Sequence, residues 1–114
     1  MSEDQKKDDM QKDVNAALGH LKRGPGLPTT VNTEEWEKMI DASDRTSQEK
    51  QKLKELGRFL SLKQYLEEQG QVLEPILIEG FLELHRFPVT MQITWLGNAN
   101  RKLMGLISDA GPRA

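Results

Sequence analysis

ILIEGFLELHRFPVTMQITWLGNANRKLMGLI, residues Ile76 to Ile107, carries the strongest structural signal in this chain. Leu73, Leu77, Phe81 and Leu84 recur at helical spacing and form a tight stripe, which Ile76, Ile78 and Leu82 widen on both sides. Only Glu79, Glu83 and Arg86 mark a narrow wet strip. A helix apolar around most of its circumference belongs in the middle of a bundle. At ~1.5–3 kcal/mol for each large apolar side chain fully buried, it would be the largest single source of stability. Pro75 falls in the first helical turn, where the missing N–H is harmless. Gly80 lowers helix propensity, which predicts close approach by a neighbour. Pro88 drives Phe87 out of the α region and ends the helix. Thr90 then reads as the N-cap of a short helix closed by Gly97. Asn98 reads as the cap of a last helix with Leu103, Met104, Leu106 and Ile107 facing inward.

Upstream, Met10, Val14, Ala17, Leu18 and Leu21 share one stripe, predicting an amphipathic helix over residues 8–23, opened by Asp8 and Asp9 and closed by Lys22 and Arg23. Gly24-Pro25-Gly26 stops it, and residues 24–32 read as a linker. This stripe has two readings: it packs back on the bundle, or it docks on a partner. The next helix starts at Asn32 or Thr33 with Glu34 and Glu35 behind, and Trp36, Met39 and Ile40 form its apolar face. Thr46-Ser47-Gln48-Glu49 is a capping box that opens a long helical stretch to Gln69, stopped by Gly70. Leu53, Leu56 and Leu60 share one face there, while Phe59, Leu62 and Leu66 share another rotated by about a third of a turn. That rotation predicts a bend near Gly57–Ser61. No segment alternates with period two long enough to be a strand. The expected fold is all-α: a small irregular bundle of about five helices over residues 32–109, a flexible N-terminal region over 1–31, and a loose C-terminus at 110–114.

Composition narrows the function. Of 114 residues, 16 are basic and 18 acidic, giving a net charge of -2. Residues 1–57 carry 10 basic and 12 acidic side chains and residues 58–114 carry 6 of each, so neither half is a phosphate-gripping patch. Direct nucleic-acid binding is therefore not expected. There is no cysteine, which removes disulfides, thiolate nucleophiles and cysteine-based metal sites. MSEDQKKDDMQK lacks an apolar signal core, and no apolar run approaches membrane-spanning length, so no membrane partner is expected. The Glu79/Glu83 pair at i,i+4 lies beside Arg86 without a cleft-forming loop or nucleophile. Ser47 and Ser61 have no histidine partner, and His85 has no second ligand at metal-binding spacing. Gly24-Pro25-Gly26 lacks the strand and lysine of a phosphate loop. These features point away from an enzyme, and no cofactor, metal or small-molecule substrate is expected.

LELHRFPVT followed by TWLGNANRKL resembles the TFIIS N-terminal domain family, shared by TFIIS, Elongin A, PNUTS and the LEDGF integrase-binding domain. Leu84, Pro88, Val89, Thr90, Thr94, Leu96, Gly97, Arg101, Lys102 and Leu103 stand in the places of that signature. Only Met91-Gln92-Ile93 separate its two elements, about one helical turn fewer than in the family, and Asn100 stands where an aliphatic residue is usual. The resemblance implies a nuclear scaffold module of transcription elongation, which holds short disordered peptides in hydrophobic inter-helix corners. In that mode the peptide carries the ordering cost and the domain stays rigid.

The expected peptide-binding residues are Phe87, Val89, Thr90, Trp95 and Leu96. Trp95 is the leading candidate; its alternative role is an aromatic that seals the bundle. Phe87 and Val89 flank Pro88, where packing and peptide contact are equally open. Leu96 and Gly97 are mainly structural, and Trp36 reads as a core anchor. A non-enzymatic interaction module for disordered linear motifs is the first functional expectation. A structural or assembly subunit that docks through its amphipathic helices is the second.

Overall fold

Among the described residues one 22-residue helix, Ser47–Glu68, contacts the helices around it. The computed structural model describes residues 3–20, 22–23, 31–32 and 34–110. Leu21, the Gly24–Pro25–Gly26 stop, most of the linker, the Thr33 cap and the end of the chain beyond Ala110 lie outside the described residues. Five α-helices stand among them: α1 (Glu3–His20), α2 (Glu34–Asp41), α3 (Ser47–Glu68), α4 (Pro75–Leu82) and α5 (Val89–Ala110). A 3-10 turn, Leu84–Arg86, links α4 to α5. Lys22–Arg23, expected to close the first helix, instead pairs antiparallel with Val31–Asn32 at the end of the expected linker, a two-residue ladder. The first helix thus runs over Glu3–His20 rather than 8–23. Among the described residues no helix is long and apolar enough to cross a membrane.

The Thr46 cap forms as its residue types dictate. The Glu49 amide donates to Thr46 Oγ1 at 3.1 Å, and the Thr46 hydroxyl donates to Glu49 Oε1 at 3.1 Å. At the other end Gly70 takes φ +81, the Gln71 amide donates to the Leu66 carbonyl and the Gly70 amide to Glu67, a complete Schellman motif. Between these ends α3 is unbroken, which corrects the expected bend at Gly57–Ser61. The two rotated stripes are two contact faces instead. Trp36 of α2 lies over one of them, its Nε1–H donating to the Leu53 carbonyl at 2.9 Å. Phe59 on the other stacks on Phe81 of α4 with centroids 4.8 Å apart and meets Trp95 of α5 at 5.6 Å. Gly57 serves the first contact, since a Cβ there would lie 2.4 Å from Trp36 Cδ1. Ser61 returns its hydroxyl to the Gly57 carbonyl at 2.9 Å.

The helix expected at the centre is at the edge. In α4 only Leu77 is buried, while Ile76, Ile78 and Leu82 are exposed. The tight stripe Leu73, Leu77, Phe81, Leu84 does face the core; the side chains flanking it do not. Eight residues cannot be wrapped on all sides by a bundle this small, whereas the 22 of α3 can receive α1, α2, α4 and α5. Gly80 behaves as expected, because a Cβ there would sit 2.7 Å from Trp95 Cζ2.

The chain turns only once after α4. Phe87 is extended, at φ -100 and ψ 155, as the following proline demands. Helix α5 then begins at Val89 and passes through Gly97 without a break. Thr90 is therefore not a cap; its carbonyl accepts the Thr94 hydroxyl at 3.2 Å. A stopping glycine uses positive φ, and among the described residues only Gly70 does. Gly97 costs the helix about 1 kcal/mol, while burying Leu96 and Leu103 on either side returns about 1.5–3 kcal/mol each, so the helix continues. Leu106 and Ile107 pack on the core as expected, but Met104 and, in α2, Met39 are exposed.

The three glycines respond differently to alanine. Gly97→Ala meets open space and gains helix propensity, so it is expected to stabilise by about 0.5–1 kcal/mol in urea unfolding. Gly57→Ala and Gly80→Ala force an indole to move and are expected to destabilise, by about 1–2 kcal/mol after the propensity gain is subtracted. Equal shifts in all three would contradict the two indole contacts.

Candidate functional site

Helix α1 is part of the bundle, and it makes one wall of the site. Ala17 is fully buried, with Met10 and Val14 packed against the core, so this part of the stripe is used internally, while Leu18 is exposed. Asp13 anchors it: its carboxylate lies 3.6 Å from Lys52 Nζ and 3.3 Å from Arg45. Asp13 and Lys52 are both largely withdrawn from water, which raises the cost of separating them. A second tie closes α2 on α3, where Lys54 donates to Asp41 at 2.8 Å; that hydrogen bond holds the Lys54 ammonium above its usual pKa.

Where α1, the 3-10 turn and the start of α5 meet, a hollow of about 300 Å³ opens. Phe87, Pro88 and Val89 form its corner, Met10 and Lys6 its α1 side, and His85 and Gln92 its inner wall. Phe87 is 44% exposed, unusual for so large an aromatic beside a buried turn. Gln92 is almost fully buried, and its Nε2 donates to the Phe87 carbonyl at 2.8 Å, bracing the extended residue. Its Oε1 is buried without a hydrogen-bond partner among the described residues. A buried acceptor left unpaired costs about 1–3 kcal/mol.

The five expected binding residues do not form one surface. Phe87 and Val89 line this hollow. Thr90 is exposed just beyond it. Trp95 is half-buried in the aromatic layer and shows one edge to a different hollow, about 440 Å³, with Ile76, Ala99 and Lys102. Leu96 is fully buried and can touch no ligand. That last placement follows from the helical continuity of α5: with no corner at Gly97, Leu96 points inward between Gln92 and Ala99, both buried. Sequence reasoning missed Gln92 and Met10. Gln92 stands one turn past a proline corner, on the buried side of an apolar helix, and that spacing was the available signal.

Among the described residues no three His, Asp or Glu side chains converge as a metal would require. No family model, curated protein or solved structure matches the chain.

Removing the α1 anchor tests the wall. Asp13→Ala leaves Lys52 without that partner in a largely buried position and is expected to destabilise by about 1–3 kcal/mol. Trypsin should then cut after Lys6, Lys7 and Lys12 well before the rest of the fold opens. Unchanged cleavage there would show that apolar packing alone holds α1.

Proposed function

We propose that this chain is a non-enzymatic protein-interaction module, similar in mode to the TFIIS N-terminal domain family, which captures short disordered peptide motifs of transcription elongation or chromatin factors in the nucleus. The observation that carries this reading is the Phe87 corner: an exposed aromatic over a hollow walled by Val89, Met10 and the buried Gln92. A peptide offers what this corner lacks, an apolar side chain to cover Phe87 and Val89. Of the charged residues lining it, Lys52 is taken up by Asp13, and the exposed Lys6 stands beside Asp9 at the rim, where it can meet an acidic flank of that peptide. The site is built by packed helices, so its own ordering cost is small and the peptide bears it.

Titrating ¹⁵N-labelled protein with a peptide carrying a Phe anchor between acidic residues is expected to move the Phe87, Val89 and Met10 amides and the Gln92 side-chain amide. Phe87→Ala, a surface change, should weaken binding about tenfold or more, as central aromatic contacts do. Shifts confined to α1, or equal affinity for Phe87→Ala, would contradict the reading.

A second reading is favoured by α4. Val72, Ile76 and Leu82 are 92%, 64% and 63% exposed, and Ile78 is 38% exposed. In a structural or assembly subunit these side chains would be covered by another chain of a larger complex. That assigns docking to α4 instead of the N-terminal helix, whose apolar stripe the bundle already uses. Sedimentation of the wild type and of Ile76→Glu/Leu82→Glu separates the readings. A self-assembled species that falls to monomer in the double variant favours assembly, while a wild-type monomer favours the peptide module.

A further inference from the structure

We infer that the furrow between α3 and α5, centred on Gly97, is a second binding site, one that takes a short extended peptide segment bearing a side-chain carboxylate. The two helices run antiparallel there, as the pairing of Glu55 with Asn100 and of Phe59 with Trp95 shows. Gln51, Glu55 and Arg58 follow one another at i, i+4 and i+7 along one wall; Ile93, Gly97, Arg101 and Met104 line the other. The space enclosed is about 550 Å³, larger than the Phe87 hollow, and the two share no residue.

Three features point to a ligand and to its chemistry. Asn100 is 4% exposed, and its Nδ2 donates to the Glu55 carbonyl at 3.2 Å and to Glu55 Oε2 at 2.9 Å. Both partners are acceptors, so the amide orientation is fixed, and Oδ1 is left buried beside the furrow without a donor among the described residues. Next, Arg101 is exposed and makes no ion pair with a described residue, and Arg58 reaches only 3.9 Å from Glu55. Each wall thus carries an arginine, and a guanidinium fork is the group that recognises a carboxylate best. Last, a Cβ on Gly97 would meet nothing within 4 Å, so the floor is open backbone where a side chain could have stood.

The dimensions fit the ligand. Ile93 to Met104 spans eleven helical rises, about 16 Å, which is the length of roughly five extended residues. Ile93 and the exposed Met104 give apolar footing at the two ends for residues flanking the acid. A nucleic acid is the poorer match: two arginines beside Glu55, in a chain of net charge -2, neutralise few phosphates.

The experiment is an amide-shift titration of the full chain with the acetylated, amidated pentapeptide Ala-Leu-Asp-Leu-Ala, repeated with its Asp-to-Asn counterpart and with a 12-nucleotide single-stranded DNA. Saturable shifts are expected at Ile93, Gly97, Arg101 and the Asn100 side-chain amide. The Asn peptide and Arg101→Gln should each weaken binding tenfold or more. Gly97→Leu fills the furrow from outside the core and should abolish binding in a protein whose core resonances are unmoved, while Phe87→Ala should leave it unchanged. No shift at ~1 mM peptide, equal affinity of the Asn peptide, full binding by Gly97→Leu, or shifts at Phe87 instead would each overturn the proposal. So would stronger, steeply salt-dependent binding of the DNA at the same residues.

Discussion

Phe59 lies where three helices meet, its ring stacked on Phe81 and tilted against Trp95. Each aromatic pair adds about 0.5–1.5 kcal/mol beyond the area it buries, and for α4 this layer is the main attachment to the bundle. Gly80 makes it possible by removing the one atom that would hold Trp95 away. Everything else follows from where that layer stands. It pins α4 on the flank of the α3–α5 pair, leaves the outer side of α4 uncovered, and hands the centre of the molecule to α3. Trp36, hydrogen-bonded to the Leu53 carbonyl and seated over Gly57, does the same for α2 on another side of the rod.

Much of this was legible in the sequence because it was local. The Thr46 box, the Gly70 stop, the Pro88 corner and the inward stripe through Leu77, Phe81 and Leu84 are decided within a few residues by capping chemistry and backbone sterics. What failed depended on neighbours. The rotated stripes of α3 looked like a bend because nothing in the sequence says that two different helices will press on Phe59 and Leu53. The apolar α4 looked central because hydrophobicity reports what would prefer burial, not whether a small bundle has enough other helices to provide it. Gly97 looked like a stop because propensity is visible residue by residue, while the burial of Leu96 and Leu103 that overrides it is not. Half of the expected site fell with that corner: Leu96 went inside and Trp95 turned to the aromatic layer, leaving Phe87 and Val89 at the corner that does exist.

Two side-chain amides on α5 then acquire a common meaning. Gln92 and Asn100 are both buried, both spend an N–H group on carbonyl or carboxylate oxygens, and both keep a buried acceptor unpaired in a residue that lines a hollow. An apolar residue of similar size would pack there at lower cost. Each hollow also carries exposed cations, Lys6 in one and Arg101 in the other. A rigid platform with unpaired acceptors and lysine or arginine at its rims suits extended peptides with acidic residues, and both proposals rest on that chemistry at different places.

The claim beneath the fold is that α3 is the rigid element and α4 a loosely held flank. Native-state amide exchange tests it directly. The amides from Leu53 to Leu66 should exchange only through global unfolding, with a free energy equal to that from denaturant titration, while those of α4 exchange through a cheaper opening. Protection of α4 equal to or above that of α3 would place the centre of the fold elsewhere and contradict the account.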